Sequence, residues 1–309
     1  MDIVITEFMD APAVADLSRT HAVLYQTDIV DRPKELAAAV VDARALIIRN
    51  RTEVRGPLLA AAAKLLCIGR LGVGLENIDV AACKARGIAV YPATGANNTS
   101  VAEYVIAAAL VLLRGAHGTT AEMVAGGWPR GRLMGREMAG KRLGLVGFGA
   151  IARATATRAR ALGMTIAGHD PYLPAGHEAW REVVKQDLDS LLAESDVVSL
   201  HVPLTDETRN LIDRNAIARM KRDAILINAA RGGVVDEAAV AAALKEQRLG
   251  GAALDVFAGE PLGAEAASIF SDVPNLILTP HIAGVTAESN VRVSWLTADN
   301  VRRHLDGRR

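Results

Sequence analysis

Short runs of aliphatic and β-branched residues alternate along the chain with alanine-rich stretches of helical periodicity. In the first third, the apolar runs predict strands at Ile3–Thr6, Ala45–Ile48, Leu65–Ile68 and Ile88–Tyr91. Pro33 is typical of a first helical turn, and the helix that it begins would continue through Val41. Apolar strands separated by helices favour an α/β fold with a mainly parallel sheet.

A second series of the same kind begins near residue 143. It predicts strands at Leu143–Val146, Met164–His169, Asp196–His201, Ala224–Asn228, Gly251–Val256 and Leu276–Thr279. These six runs match the number of strands in a complete doubly wound nucleotide-binding sheet. The polar, amphipathic stretch 286–304 predicts a terminal helix.

The two series are separated by a segment with a different pattern. Pro92 and Gly95 indicate a linker, after which Ser100 and Glu103 fit a capping box for a strongly apolar helix. The stretch 115–141 has too many glycine and arginine residues for a core element. We therefore expect an extended arm or loop there.

Composition limits the classes of function. The 309 residues suffice for two globular domains, and 35 basic against 35 acidic residues give zero net charge, so no nucleic-acid or membrane partner is expected. The longest uncharged apolar run, Tyr104–Leu113, is too short to cross a bilayer. The acidic start does not resemble a signal peptide, and Cys67 and Cys83 are predicted to be buried free thiols. These features predict a cytoplasmic protein.

A glycine-rich turn follows the first strand of the second series. Gly147, Gly149 and Ala152 fit the pattern G-x-G-x-x-A at a junction of strand and helix, where backbone amides bind a pyrophosphate. Asp170 follows the next strand at about the spacing expected for the acid that binds the ribose hydroxyls. A carboxylate there repels a 2′-phosphate, so NAD is favoured over NADP. Enzymes that use S-adenosylmethionine share these features and are an alternative.

Polar residues follow three later strands, at the sheet edge where ligands bind in doubly wound folds. They are Arg231, Asp255 with Glu260 close behind, and His281, while His201 ends another strand. Histidine can exchange the hydroxyl proton of a hydroxy acid, and a carboxylate can fix its tautomer. A guanidinium can bind the substrate carboxylate or keto oxygen. The set suits hydride transfer, and no metal-binding cluster is expected.

These motifs, with "HVPLT", "INAARGGVVDEAAV", "GAALDVFAGEP" and "TPHIAG", resemble those of the D-2-hydroxyacid dehydrogenases, which include 3-phosphoglycerate dehydrogenase. The resemblance implies Arg231, Glu260 and His281 as catalytic residues and Asp255 facing the nicotinamide carboxamide. It also implies that NAD is bound by a further set of residues: Gly147, Gly149, Ala150, Ile151, Asp170, His201, Pro203 and Ala230. Ala152 departs from the glycine that most members carry, which affects packing only.

The family architecture implies a Rossmann-type NAD-binding domain, 99–283, inserted into a smaller flavodoxin-like α/β substrate domain, 1–98 and 284–309. The motif "GRLGVGLENID" implies that backbone amides around Val73 and Gly74 hold the substrate carboxylate. Arg49 and Arg70 resemble residues that bind a distal phosphate. The phrases "VITEFMD", "PATGAN" and "AGVTAESNVRVS" are similar to bacterial 3-sulfolactate dehydrogenases, whose substrate carries a sulfonate.

The resemblance therefore implies a dehydrogenase of small 2-hydroxy and 2-keto acids, with a distal anion on the substrate. The stretch 115–141 matches the segment that the family uses in dimer contacts, so a homodimer is expected. The alternative is an NAD(H)-sensing protein, because transcriptional corepressors resemble this family and keep the three catalytic residues.

Overall fold

A computed structural model of the chain describes residues 1–307. The chain divides into two compact units. The first consists of Met1–Asn97 and Val285–Arg309, and the second consists of Asn98–Gly284. These limits lie one residue from the boundaries expected for the two domains.

The first unit is built on a parallel sheet. Its strands are β1 (Ile3–Ile5), β2 (Val23–Tyr25), β3 (Ala45–Ile48), β4 (Cys67–Arg70) and β5 (Ala89–Pro92). Its helices are α1 (Ala11–Leu17), α2 (Pro33–Val40), α3 (Gly56–Ala61), α4 (Val80–Ala85) and the C-terminal helix (Ala287–Leu305). Within residues 1–307 the strand order is β2-β1-β3-β4-β5, as in flavodoxin-like folds, so the connection reverses between β1 and β3.

Buried aliphatic strands form the centre of this unit. All four residues of β3 are fully buried, which explains why the apolar run alone predicted its limits correctly. The prediction for β4 was two residues too early, since Leu66 is exposed. Strand β2 was not predicted, because it lies at the sheet edge and is only partly buried.

The second unit begins with α5 (Asn98–Arg114) and α6 (Thr120–Val124). Its strands are β6 (Arg142–Val146), β7 (Thr165–His169), β8 (Val184–Lys185), β9 (Val197–Leu200), β10 (Ile225–Asn228), β11 (Gly251–Leu254) and β12 (Leu276–Leu278). The other helices are α7 (Ala150–Ala161), α8 (Leu188–Glu194), α9 (Arg214–Arg219), α10 (Glu237–Lys245) and α11 (Ala264–Ala267). Short 3-10 turns lie at Ile29–Asp31 in the first unit and at Glu178–Trp180 and Ser268–Phe270 in the second.

In residues 1–307 the second sheet has seven parallel strands in the order β12-β11-β10-β9-β6-β7-β8. This is the Rossmann order, with the reversal between β6 and β9. The prediction of six strands missed β8, a two-residue exposed edge strand without an apolar run. The predicted parallel α/β architecture of both units is confirmed.

Aspartate residues begin three helices of the second unit. Asp187, Asp213 and Asp236 each accept a hydrogen bond from an amide in the first turn of α8, α9 and α10, respectively. The capping box predicted at Ser100 and Glu103 is wrong, because α5 already begins at Asn98. The stretch 115–141 has irregular turns, as expected, but also contains α6.

The remaining structural expectations concern cysteines and membranes. Cys67 and Cys83 are buried free thiols, as predicted, and burial raises the pKa of Cys67 to about 12. Among the helices of residues 1–307, none combines the length and the apolar character needed to cross a bilayer. The same residues contain no cluster of side chains suited to hold a metal ion.

Candidate active site

The glycine-rich turn lies between β6 and α7 at the carboxyl end of the sheet. Gly147 has a φ of 84°, and a Cβ atom there would lie 2.6 Å from the carbonyl oxygen of His201, so only glycine fits. A Cβ atom on Gly149 would meet no atom within 4 Å, which leaves the space above the turn open. Ala150 and Ile151 form the first turn of α7, and Ala152 is fully buried. The turn therefore fits a dinucleotide pyrophosphate.

Asp170 follows β7 and is hydrogen-bonded to the glycine-rich turn. Its Oδ2 accepts from the Phe148 amide at 2.9 Å. Its Oδ1 accepts from the amides of Tyr172 and Leu173 at 3.0 and 3.1 Å. A carboxylate has about four acceptor positions, so one is left for a ribose hydroxyl. The residue is thus held where the motif requires an acid.

His201 follows β9, and its environment disfavours proton exchange at neutral pH. Burial lowers the pKa of this imidazole to about 4, and its Nε2 lies 3.0 Å from Ser199 Oγ. Pro203 lies two residues further on and is exposed, and its carbonyl accepts from the Thr208 hydroxyl at 2.6 Å. A neutral His201 can contact a cofactor but is a poor acid.

His281 and Glu260 form a direct pair. The Nδ1 atom of His281 lies 2.7 Å from Glu260 Oε2, while Oε1 accepts from the Phe257 amide at 2.9 Å. The imidazole is 54% exposed and the carboxylate 34% exposed. The carboxylate is therefore fixed at one oxygen and orients the imidazole with the other, which leaves Nε2 available to a substrate.

The loop that carries Arg231 is packed against the loop that carries Glu260. A Cβ atom on Gly232 would overlap the carbonyl of Phe257, so glycine is required for this approach. Asn228, at the end of β10, accepts from the Ala230 amide at 3.1 Å and donates to the Arg231 carbonyl at 2.9 Å. The predicted strand-end residues are thus brought to one edge of the second sheet.

Asp255 lies at the end of β11 and is 1% exposed. Its carboxylate accepts from the amides of Ile282 and Ala283, each at 2.8 Å, and from the Thr279 hydroxyl at 2.5 Å. Three acceptor positions are thus used within the loop of His281. The contact expected with the nicotinamide carboxamide stays a prediction.

A second candidate site lies in the first unit, where β1 and β3 end at the reversal of the strand order. Glu7 is 4% exposed and accepts hydrogen bonds from the amides of Arg49, Asn50, Arg51 and Thr52 at 2.9–3.2 Å. It also accepts from the Thr52 hydroxyl at 2.9 Å. This side chain fixes the loop 49–52 as a ring of amides around a carboxylate.

Arg49 is presented by that loop and is held at its guanidinium. One nitrogen donates to Asn290 Oδ1 at 2.6 Å, and the guanidinium carbon lies 5.9 Å from the centre of the Phe8 ring. Burial lowers the pKa of Arg49, and nearby Glu7 partly opposes this shift. A partly buried cation of fixed geometry is suited to bind an anion.

The motif 70–74 follows β4. Arg70 donates to the Leu71 carbonyl at 2.8 Å, and its guanidinium occupies the space where a Cβ atom of Gly72 would lie. Gly72 has a φ of 154°, while Val73 is exposed and Gly74 is half-buried. The turn exposes backbone next to an arginine.

Several residues at these sites were not identified from the sequence. Glu7, Asn290, Tyr104, Thr279 and Glu237 all contact a site loop or residue. Glu237 accepts from the Ala258 amide at 2.6 Å; burial and the charges of Asp236 and Glu260 raise its pKa. Thr279 directly follows β12 and Glu7 lies two residues after β1, so a polar residue at a strand end was an available indication for both. Nothing in the pattern marked the helical residues Tyr104 and Asn290.

The chain is similar to known NAD-dependent oxidoreductases. Residues 106–283 match the model of the NAD-binding domain of D-isomer specific 2-hydroxyacid dehydrogenases. The chain is 55% identical over 305 residues to (S)-sulfolactate dehydrogenase of Chromohalobacter salexigens, with 98% of each chain covered. The chain therefore belongs to the D-isomer specific 2-hydroxyacid dehydrogenase family, and its cofactor is NAD.

Two further relatives are similar over almost the whole chain. D-3-phosphoglycerate dehydrogenase of Methanocaldococcus jannaschii is 38% identical, with 99% of this chain and 57% of the relative covered. The crystal structure of D-lactate dehydrogenase from Aquifex aeolicus complexed with NAD and lactic acid has a TM-score of 0.88 at 28% identity, covering 99% of this chain and 96% of that one. The predicted family, fold and enzyme class are thereby confirmed.

Proposed function

We propose that Arg231, Glu260 and His281 are the catalytic residues of this dehydrogenase. The observation that carries the assignment is the 2.7 Å contact between His281 and Glu260, at the sheet edge where Arg231 also lies. His281 would take the hydroxyl proton of a 2-hydroxy acid and return it to the keto acid in the reverse direction. Glu260 would stabilise the imidazolium, and Arg231 would bind the substrate carboxylate or keto oxygen.

NAD, when bound, accepts or returns the hydride. Residues of the second unit would hold it: the turn Gly147–Ile151 at the pyrophosphate and Asp170 at the ribose, with His201, Pro203 and Ala230 at the following strand ends. The open space above Gly149 and the remaining acceptor position of Asp170 support this assignment.

We also propose that the substrate carries a second anionic group, with 3-sulfolactate as the leading candidate. Arg49 supports this proposal because it is partly buried, fixed by Asn290 and located at the reversal point of the first sheet, where doubly wound folds bind ligands. Arg70 would share this anion, and the amides at Val73 and Gly74 would bind the substrate carboxylate. The name of the relative that is 55% identical points to the same substrate class.

The substrate proposal is tested by a screen of 2-keto acids with NADH. The acids are matched pairs with and without a phosphate or sulfonate at C3. We expect the highest kcat/KM for an acid with an anionic group at C3, and we expect a sulfonate there to be preferred over a phosphate. A higher kcat/KM for the acid without this group would refute the proposal that the substrate carries a distal anion. Binding of NADH without turnover of any acid would instead favour an NAD(H)-sensing corepressor.

We further propose that the chain forms a homodimer through the stretch 115–141. Large apolar side chains of this stretch are exposed to solvent: Val124 is 84%, Trp128 77% and Met134 87% exposed. The concentration of strongly exposed, large apolar side chains in one short segment supports an interface there. Light scattering should give twice the mass of one chain. The double variant Trp128→Asp with Met134→Asp should have the mass of a single chain. A monomeric parent protein would contradict the proposal.

A cytoplasmic location is also proposed. Cys67 and Cys83 are buried free thiols, which suits a reducing compartment. Detection of the protein outside the cytoplasmic fraction of its host would contradict this location.

A further inference from the structure

The loop 279–283 folds around the end of β11. The amide of His281 donates to the Asp255 carbonyl at 2.7 Å, and the next two amides donate to the Asp255 carboxylate. His281 has a φ of 52°, in the left-handed region that most L-residues avoid. A histidine in this backbone conformation needs support from its surroundings, and the hydrogen bonds to Asp255 provide it.

A side chain from another element completes this support. Tyr104 of α5 places its hydroxyl oxygen 2.6 Å from Thr279 Oγ1, which in turn lies 2.5 Å from Asp255 Oδ1. A carboxylate only accepts, so the single hydroxyl proton of Thr279 must point to Asp255. Thr279 then accepts from Tyr104, whose own proton must point to Thr279. The direction of every bond in the chain Tyr104–Thr279–Asp255 is therefore defined.

We propose that Tyr104 is a positioning residue for the reaction, acting through Thr279 and Asp255 on the loop that presents His281. The inference rests on the proposed role of His281 and goes beyond it, because Tyr104 contacts neither His281 nor Glu260 by hydrogen bond. It ties the loop 279–283 to the interior of the second unit, so that the ring of His281 meets Glu260 in one orientation.

Two features make Tyr104 suited to this role. It lies in the 17-residue helix α5, whose buried residues Val105 and Ala108 belong to the core beneath the sheet. Burial and the nearby charge of Asp255 raise its pKa. The phenol thus keeps its proton, and its ability to donate, across the neutral range.

The test compares Tyr104→Phe with Tyr91→Phe. Tyr91 is the matched control, since its hydroxyl lies 3.0 Å from His304 Nδ1 in the first unit and has no proposed part in the reaction. Loss of one neutral hydrogen bond corresponds to about a 3- to 10-fold change in rate. We expect Tyr104→Phe to lower kcat by that factor and to leave the KM of the keto acid and the affinity for NADH unchanged, while Tyr91→Phe keeps the parent kcat.

Thr279→Val and Thr279→Ser complete the test. Serine keeps the hydroxyl and should restore kcat, while valine removes both bonds and should lower kcat further. Adding Tyr104→Phe to Thr279→Val should then cost nothing more, because the two residues act in one chain. Additive losses, or equal losses in Tyr104→Phe and Tyr91→Phe, would overturn the inference. His281→Gln is measured alongside: if it retained kcat, the proposed acid–base role would fail instead.

Discussion

The two units each fix a functional loop at the edge of the sheet in a similar way. In each, a buried carboxylate at the end of a strand accepts hydrogen bonds from consecutive backbone amides, and the loop so fixed carries a residue with a proposed function. In the first unit Glu7 holds the loop of Arg49, and in the second Asp255 holds the loop of His281. A carboxylate that binds backbone amides fixes a loop without placing further side chains on its surface.

The two loops differ in what they present and in how it is held. Arg49 carries a permanent charge and is paired with the neutral amide of Asn290, so its charge remains available to an anion. His281 is paired with the carboxylate of Glu260, which suits a group that gains and loses a proton. On the proposed roles, similar loop architecture would serve anion binding in the first unit and proton transfer in the second.

The largest expected effect separates His281 from the other strand-end histidine. His281→Gln should lower kcat by about 10²- to 10⁴-fold, because it removes the proposed general acid–base group. His201→Gln is the matched control and should chiefly change NADH affinity, since burial lowers the pKa of His201 to about 4. Steady-state kinetics and NADH titration measure both. Loss of kcat in His201→Gln alone would reverse the two roles.

His201 also gives a prediction for stability against pH. Its pKa is about 4 in the folded protein and 6.5 as a free side chain, so between these values the unfolded chain binds more protons. The stability contributed by neutral His201 is present above pH 6.5 and lost as pH falls, by up to about 3 kcal/mol near pH 4. Urea unfolding should show a shallower pH dependence in His201→Gln. Identical slopes would contradict the burial argument.

A structural feature can be predicted from the sequence when residues close together along the chain determine it, and not when it depends on how distant segments pack. The buried run 45–48 defined β3, and parallel strands bring their carboxyl ends to one edge, so the pairing of Glu260 with His281 could be expected. The exposed edge strand β8 lacks a hydrophobic pattern, so it could not be predicted from the sequence. The contacts of Tyr104 and Asn290 depend on how helices pack on each sheet, which local patterns do not specify.

Glu7→Gln tests the first half of the comparison. A glutamine amide cannot accept from all the amides of loop 49–52, so we expect the free energy of unfolding to fall by about 2–3 kcal/mol. Glu35→Gln is the control, because its carboxylate lies at the surface, 3.4 Å from Arg32, and should change stability by less than about 0.5 kcal/mol. Equal changes in the two variants would show that Glu7 does not hold the loop.

The smallest effect concerns cofactor choice. Asp170→Ala should reduce the preference for NAD over NADP by about tenfold, since it removes a charge that repels a 2′-phosphate at a cost near 1.4 kcal/mol. Asp170→Asn keeps an acceptor for the Tyr172 and Leu173 amides and separates loss of charge from loss of the turn. The measurement is the ratio of kcat/KM for the two cofactors. An unchanged ratio in both variants would remove Asp170 from the ribose site.

We propose that the loop of Arg49 binds the distal anion and that the loop of His281 transfers the proton. The most direct test of these separate roles is the substrate selectivity of the Arg49→Ala variant. The quantity is kcat/KM for 3-sulfolactate divided by kcat/KM for lactate. A charged hydrogen bond is worth about 1.5–3 kcal/mol, so this ratio should fall by about 10- to 100-fold, with the lactate value nearly unchanged. Arg51→Ala, in the same loop but paired with Asp31 at the surface, should keep the parent ratio. Equal losses on both substrates in Arg49→Ala would contradict the account.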